Sequence, residues 1–299
     1  MKLYAPAYYL RFSCIADRCR HSCCVGWEID VDDETMARYA MLTDGYGKQI
    51  AESIDTEGEP HFRLAAGERC PHLDERGLCR IMTEYGDGYL CDICREHPRF
   101  YNDTPHGREV GLGMACEEAS RLILSADDYQ STVVLHEDDE ASQSEGFDAT
   151  AHRSAIYAVL SNATVPYTER LRRIAEAYDL SLTDCADGEW RELLASLEYL
   201  HDEHRDLFGT YSSDPYTPSE LEAPLERALA YLVFRHGAAA VDEDGLRAAF
   251  GFCLFCERLL ASMAKSLPTE DITELARILS EELEYSENNT DAIKLAFCI

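Results

Sequence analysis

Positive charge is scarce in this sequence beside negative charge. Across 299 residues, 27 lysines and arginines face 57 aspartates and glutamates, a formal net charge of −30 and a pI near 4.5. Phosphate backbones and anionic lipids are bound by clustered Lys and Arg, so this balance argues for no nucleic-acid partner and no membrane partner. It favours a cationic partner instead. Long apolar runs are missing too: none approaches the about eighteen residues of a membrane span. The opening MKLYAPAYYLRFSC has no clean apolar stretch or small-residue cleavage site, so no signal peptide is expected and the chain reads as cytoplasmic. No Gly-x-Gly-x-x-Gly follows a strand, and Gly111-Leu-Gly113 is too little to make one.

Cysteine, by contrast, is abundant. Nine of the thirteen lie before residue 117, as Cys14-x4-Cys19-x3-Cys23-Cys24, Cys70-x8-Cys79, Cys91-x2-Cys94 and Cys116. In a reducing compartment clustered thiols point to metal or redox chemistry rather than disulfides. Thiolates are soft ligands, and sets of four on short loops suit zinc or an iron–sulfur cluster. Adjacent Cys23 and Cys24 are poor geometry for one tetrahedral ion. Either they serve different centres or one does not ligate. Two centres, or one with spare thiols, both fit the count. Cys253 and Cys256, three apart in the apolar GFCLFCERLLASMA, read as helix core. Cys185 and Cys298 receive no role.

The pattern predicts a mainly α protein. Residues 1–125 form an irregular cysteine-rich metal-binding region with at most a short β-hairpin, HFRL and LCRIM flanking the Asp74-Glu75-Arg76-Gly77 turn. DDETMARYAML reads as a helix opened by Asp32 or Asp33. The acidic segment 136–148 marks a boundary or an exposed loop. Residues 150–299 read as a helical bundle packed with the first region in one body. Ile156, Val159 and Leu160 share a face, as do Leu171, Ile174 and Tyr178, and then Leu193, Leu194, Leu197 and Leu200 in one helix, WRELLASLEYLHDEH. Pro218 and Pro224 fall at or before the start of ELEAPLERALAYLVFRHG, which Gly237 closes; Thr269 and Thr273 are candidate caps further on.

Six boxes in order carry a resemblance: residues 12–32 (FSCIADRCRHSCCVGWEIDVD), 70–81 (CPHLDERGLCRI), 88–100 (GYLCDICREHPRF), 111–124 (GLGMACEEASRLIL), 225–237 (LERALAYLVFRHG) and 279–289 (LSEELEYSENN). Together they resemble the flagellin lysine-N-methylase (FliB) family, related to cysteine-rich zinc- or iron-chelating proteins. Cys91 stands where that family more often has serine, and Glu117 where it has proline. The resemblance implies a protein-lysine N-methyltransferase acting on flagellin, with S-adenosylmethionine as donor and an iron–sulfur cluster, 4Fe-4S in type, zinc being the alternative. It carries over eight metal ligands: Cys14, Cys19, Cys23, Cys24, Cys70, Cys79, Cys94 and Cys116. The alternative function is a non-catalytic iron–sulfur or zinc protein, an electron carrier or a scaffold.

Catalytic and donor-binding residues stay unassigned. The Cys-x3-Cys-x2-Cys triplet of enzymes that cleave S-adenosylmethionine reductively is absent, since Cys19-x3-Cys23 runs directly into Cys24. Methyl transfer needs a deprotonated lysine amine, so carboxylates and tyrosines such as Tyr8, Tyr9, Tyr85, Tyr89 and Tyr101 are candidates to guide and deprotonate it.

Overall fold

The structure, a computed structural model, describes residues 2–137, 147–183, 185–268 and 270–298. Most of the acidic segment expected as a boundary, and Thr269, lie outside the described residues. The chain forms two compact units, Ser13–Pro98 and Met1–Phe12 with Arg99–Ile299.

The first unit is built from short pieces: helices α1 (Asp33–Ala40), α2 (Gly45–Glu52), α3 (Arg80–Tyr85) and α4 (Asp92–Glu96), with a two-residue ladder. Asp32 caps α1, its carboxylate accepting from Thr35 N at 2.9 Å, as the sequence leads one to expect. Asp44 does the same for α2 through Tyr46 N and Gly47 N. The expected hairpin does not form. His61–Phe62 pairs with Ile54–Asp55, and LCRIM turns helical at Arg80. Asp74 explains the difference. Its carboxylate accepts from Arg76 N and Leu78 N, closing a tight turn around the Leu73–Cys79 bridge and leaving no length for strands. Ile29, Tyr39, Ile50, Phe62 and Ile81 make a small core together with the thiols of Cys70 and Cys91.

The second unit is mainly helical but carries a four-stranded mixed sheet that the sequence did not announce. Strands β1 (Lys2–Pro6), β2 (Arg99–Thr104), β3 (Gly107–Leu112) and β4 (Thr132–Glu137) are ordered β2-β3-β1-β4. β1 runs parallel to β3, with Leu3 opposite Arg108, and antiparallel to β4. Gly107 makes the β2–β3 turn at φ +141°, and a Cβ there would fall 2.4 Å from Lys2 O. Only glycine fits.

Among the described residues nine helices follow β3: α5 (Glu117–Ser125), α6 (Thr150–Leu160), α7 (Tyr167–Ala177), α8 (Asp187–Ser196), α9 (His204–Phe208), α10 (Ser219–Gly237), α11 (Glu243–Ser266), α12 (Ile272–Leu279) and α13 (Glu287–Leu295), with a π-turn at Ser280–Glu284. A helix apolar all round is a buried one, and α11 is buried from Leu246 to Ala264 apart from Arg247. It packs on α10, where Gly237 lets Phe250 approach: a Cβ on Gly237 would sit 2.9 Å from the ring.

Two local readings are corrected. The helix expected through residue 204 stops at Ser196, and Leu200 is exposed. The side chains of Asn289 and Glu282 take the N–H groups of Glu198, Leu200 and His201 at 2.7–3.1 Å, so the backbone is satisfied without another helical turn. Likewise Asp271, not Thr273, caps α12, accepting from Thr273 N. Among the described residues no helix is long and apolar enough to cross a membrane.

Candidate metal centre and a buried polar network

The first three boxes converge within Ser13–Pro98. Cys70 N donates to Cys24 O at 2.8 Å and Gly26 N to Glu68 O at 3.0 Å, stitching the loop of residues 23–26 to residues 68–70. Cys79 and Cys91 occupy the N-cap positions of α3 and α4, and Cys94 lies one turn beyond Cys91. Asp32 holds the third box in place, its second carboxylate oxygen accepting from Asp92 N at 2.9 Å. Trp27 Nε1 fixes the first box through Cys23 O at 2.8 Å.

The electrostatics tie six thiols together. Burial pushes Cys70 up to about 11, and the neighbouring Cys79, Cys91 and Cys23 push the same way. Burial also raises Cys79, with Cys23 and Cys91 adding to it. Cys94 is raised first by its hydrogen bond to Cys91, then by burial, with Cys24 and Cys70 in reach. Cys91 moves the other way, lowered by the Cys94 hydrogen bond and then, against burial, by Tyr39, whose Oη lies 3.7 Å from its Sγ. The Cys23 and Cys24 sulfurs are 4.0 Å apart. Crowded, half-buried thiols resist ionising together, and a bound cation reverses that preference.

Of the eight cysteines carried over by resemblance, these ties link Cys23, Cys24, Cys70, Cys79 and Cys94. Cys14 is exposed, its sulfur 3.4 Å from Ala16 N, and Cys19 donates to His21 O at 2.8 Å. Cys116 belongs to the other unit, as N-cap of α5. The sixth member is Cys91, 1% exposed, which the resemblance passed over; its Cys-x2-Cys spacing to Cys94 was the signal. The donor set fits a soft metal, with backbone N–H groups of Ile81, Met82 and His72 directed at the sulfurs of Cys79 and Cys70. Zinc–sulfur bonds of about 2.3 Å bring tetrahedral sulfurs to about 3.8 Å. Among the described residues no three of these thiols lie mutually within 4.8 Å; the trio that does is His204, Glu281 and Glu282, where Glu282 already clamps the 198–204 loop.

Cys253 and Cys256 are fully buried, and burial holds both thiols well above their usual range. The double variant Cys253→Ala/Cys256→Ala is expected to leave metal content unchanged, read by elemental analysis. Loss of metal with an intact circular-dichroism spectrum would overturn this division of the cysteines.

The other three boxes meet in the second unit. Tyr231 Oη donates to the Glu284 carboxylate at 3.0 Å and accepts from Met114 N at 3.2 Å and Arg235 Nη1 at 2.9 Å. His236 Nε2 lies 2.7 Å from Glu284 Oε1. Arg235 spans the Phe100 and Tyr285 rings at 5.0 and 4.9 Å, and Cys116 lies within electrostatic reach of Tyr285. Burial alone would raise the Glu284 carboxyl, but Arg235 and His236 hold it down at about 2. Sequence reasoning missed this network because its members look like ordinary helix-face residues. By contrast, the candidate tyrosines serve local structure. Tyr9 Oη accepts from Arg99, Tyr85 donates to Asp44, Tyr89 packs on Tyr85, Tyr101 lies under Arg108 and Tyr8 is buried in the core.

What the geometry defines is a cysteine-rich, mainly α protein with one thiol cluster and one buried polar network. Three curated proteins are similar to it. The chain is 33% identical over 131 residues to a lysine-N-methylase of Salmonella typhimurium, and 32% identical over the same length to one of Salmonella choleraesuis; each match covers 41% of this chain and 32% of the relative. It is 31% identical to the flagellar biosynthetic protein FliU of Salmonella muenchen, covering 77% of that protein. The chain belongs to the flagellin lysine-N-methylase family. The match spans about a third of the length of the two lysine-N-methylases. No family model matches the chain, and no solved structure does.

Proposed function

We propose that the chain is a protein-lysine N-methyltransferase acting on flagellin, with S-adenosylmethionine as methyl donor and an iron–sulfur cluster in the Ser13–Pro98 unit. The observation that carries the reading is the likeness to FliU over 77% of that protein, alongside relatives named lysine-N-methylase. Four of Cys23, Cys24, Cys70, Cys79, Cys91 and Cys94 would supply the ligands of one such cluster. Cys14, Cys19 and Cys116 keep their place as family cysteines whose ligation is a separate measurement. When bound, such a cluster supplies electrons at a potential set by hydrogen bonds to its sulfurs and by solvent exposure.

Methylation makes one demand on the protein itself. An ammonium has no lone pair, so the substrate lysine must lose a proton in a pocket that disfavours its charge. The acidic surface would draw a lysine-bearing partner toward the chain. Anaerobically purified protein is expected to add methyl groups to flagellin lysines when given S-adenosylmethionine, read by peptide mass spectrometry. Cluster-loaded protein that leaves flagellin unmodified would favour the electron-carrier reading instead.

A further inference from the structure

A cavity of about 350 Å³ opens at the C-terminal end of α10, walled by the small side chains of Ala240, Ala248 and Ala249. Asp291 and Lys294 reach it from α13, and His236 lines it. His236 is only 8% exposed. Its Nε2 is committed to Glu284 at 2.7 Å. Because Glu284 is ionised at neutral pH, that nitrogen carries the proton, and Nδ1 is left with its lone pair. Among the described residues Nδ1 has no hydrogen-bond partner and is not one of the sealed, unpaired buried atoms, and His236 is part of the cavity lining. A carboxylate that fixes the tautomer of an imidazole and leaves the other nitrogen facing a pocket is the arrangement of a general base.

We propose that this pocket receives the side chain of the substrate lysine and that His236 Nδ1 accepts the proton its ammonium must lose. The proposal rests on the lysine-methylation reading. In the step, one Nζ–H bond breaks, its electron pair stays on Nζ, and the proton forms an N–H bond at Nδ1. The resulting imidazolium is neutralised by Glu284. The alanine walls suit the four methylenes of a lysine stem, which is apolar up to its nitrogen. Asp291 attracts the cation to the mouth. Inside, burial and the Lys294 charge both favour the neutral amine. The groups facing His236 are Glu284, Arg235 and Lys294; burial first, then Arg235 and Lys294, lower its pKa against the pull of Glu284, so the lone pair is free at neutral pH.

The test uses the full chain and Nα-acetyl-lysine N-methylamide as probe, followed by calorimetry and by NMR of the histidine ring protons. Wild type is expected to bind it, shift the His236 signals and ignore the norleucine analogue, which lacks the amine. Ala248→Leu fills the cavity while leaving the His236–Glu284 pair in place, and should weaken binding at least tenfold. His236→Gln should lower kcat for flagellin methylation by about 100-fold or more, with KM little changed and the acidic limb of the pH profile lost. Should His236→Gln fail to fold, the Ala248→Leu result decides. Undiminished binding by Ala248→Leu, equal binding of the norleucine analogue, or an unaltered pH profile in His236→Gln would each overturn the proposal. Wild type that binds the probe as described but methylates no flagellin lysine would sink the methylation reading and leave the lysine pocket standing.

Discussion

Replacing Cys23 or Cys70 with alanine is expected to give a colourless protein whose Ser13–Pro98 unit is open to protease while the helical unit persists. The reasoning is energetic. That unit holds helices of five to eight residues, each too short to stand alone, around a core of few large apolar side chains. A cysteine-bound metal can contribute on the order of 10 kcal/mol to folding, which is the scale a thin core lacks. The helical unit owes its stability to apolar burial along α10 and α11, so most of its circular-dichroism signal should survive. Limited proteolysis with mass spectrometry reads both halves at once. If the variants lose colour yet resist protease as wild type does, the centre has no structural part to play.

Glu284→Leu should be strongly damaging to the helical unit, costing about 3–5 kcal/mol in urea denaturation at neutral pH, because it strands the buried Arg235 charge. The side chain of Glu284 is fully buried, and that of Arg235 is 12% exposed. Glu284→Leu combined with Arg235→Met should recover much of the loss, since removing both charges leaves neither unpaired. The acid limb of the stability curve gives a second reading. A carboxyl held at about 2 against about 4.3 in an unfolded chain stabilises the fold above the unfolded value. That contribution is lost as pH falls from about 4.3 toward 2, and Glu284→Leu should flatten that stretch. A cost under about 1 kcal/mol for the single variant would mean that Arg235 finds another partner.

Local signals in this sequence were reliable wherever one element decided the outcome. Asp32 opens α1, Gly237 ends α10 against Phe250, and Cys253 and Cys256 lie in the apolar helix their neighbours imply. Signals failed where a distant residue intervened. Glu282 and Asn289 end the helix near residue 196 from more than eighty positions away. The sheet was hidden for a similar reason: β1 finds its partners about a hundred residues on, and GREVGL, flanked on both sides, is buried at five of six positions, so it lacks the alternation of a half-exposed strand. Pro224 sits within α10 rather than at its start, where the long buried helix outweighs one lost hydrogen bond. For the site, the six boxes were visible as segments, but not their sorting. Three of them build the thiol cluster and three the Tyr231–Arg235–His236–Glu284 network, a division that only tertiary contacts make. Cys91 shows the same limit, having been set aside by resemblance and then drawn into the cluster by Tyr39 and Cys94.

The most direct measurement is iron, zinc and acid-labile sulfide per chain in anaerobically purified wild type, compared with Cys91→Ser. Iron and sulfide in equal amounts in the wild type, with broad visible absorption that Cys91→Ser diminishes, is the result expected of a cluster that takes its four ligands, Cys91 among them, from the six converging thiols. Zinc without sulfide, or metal-free protein that is fully folded and methylates flagellin, would contradict it.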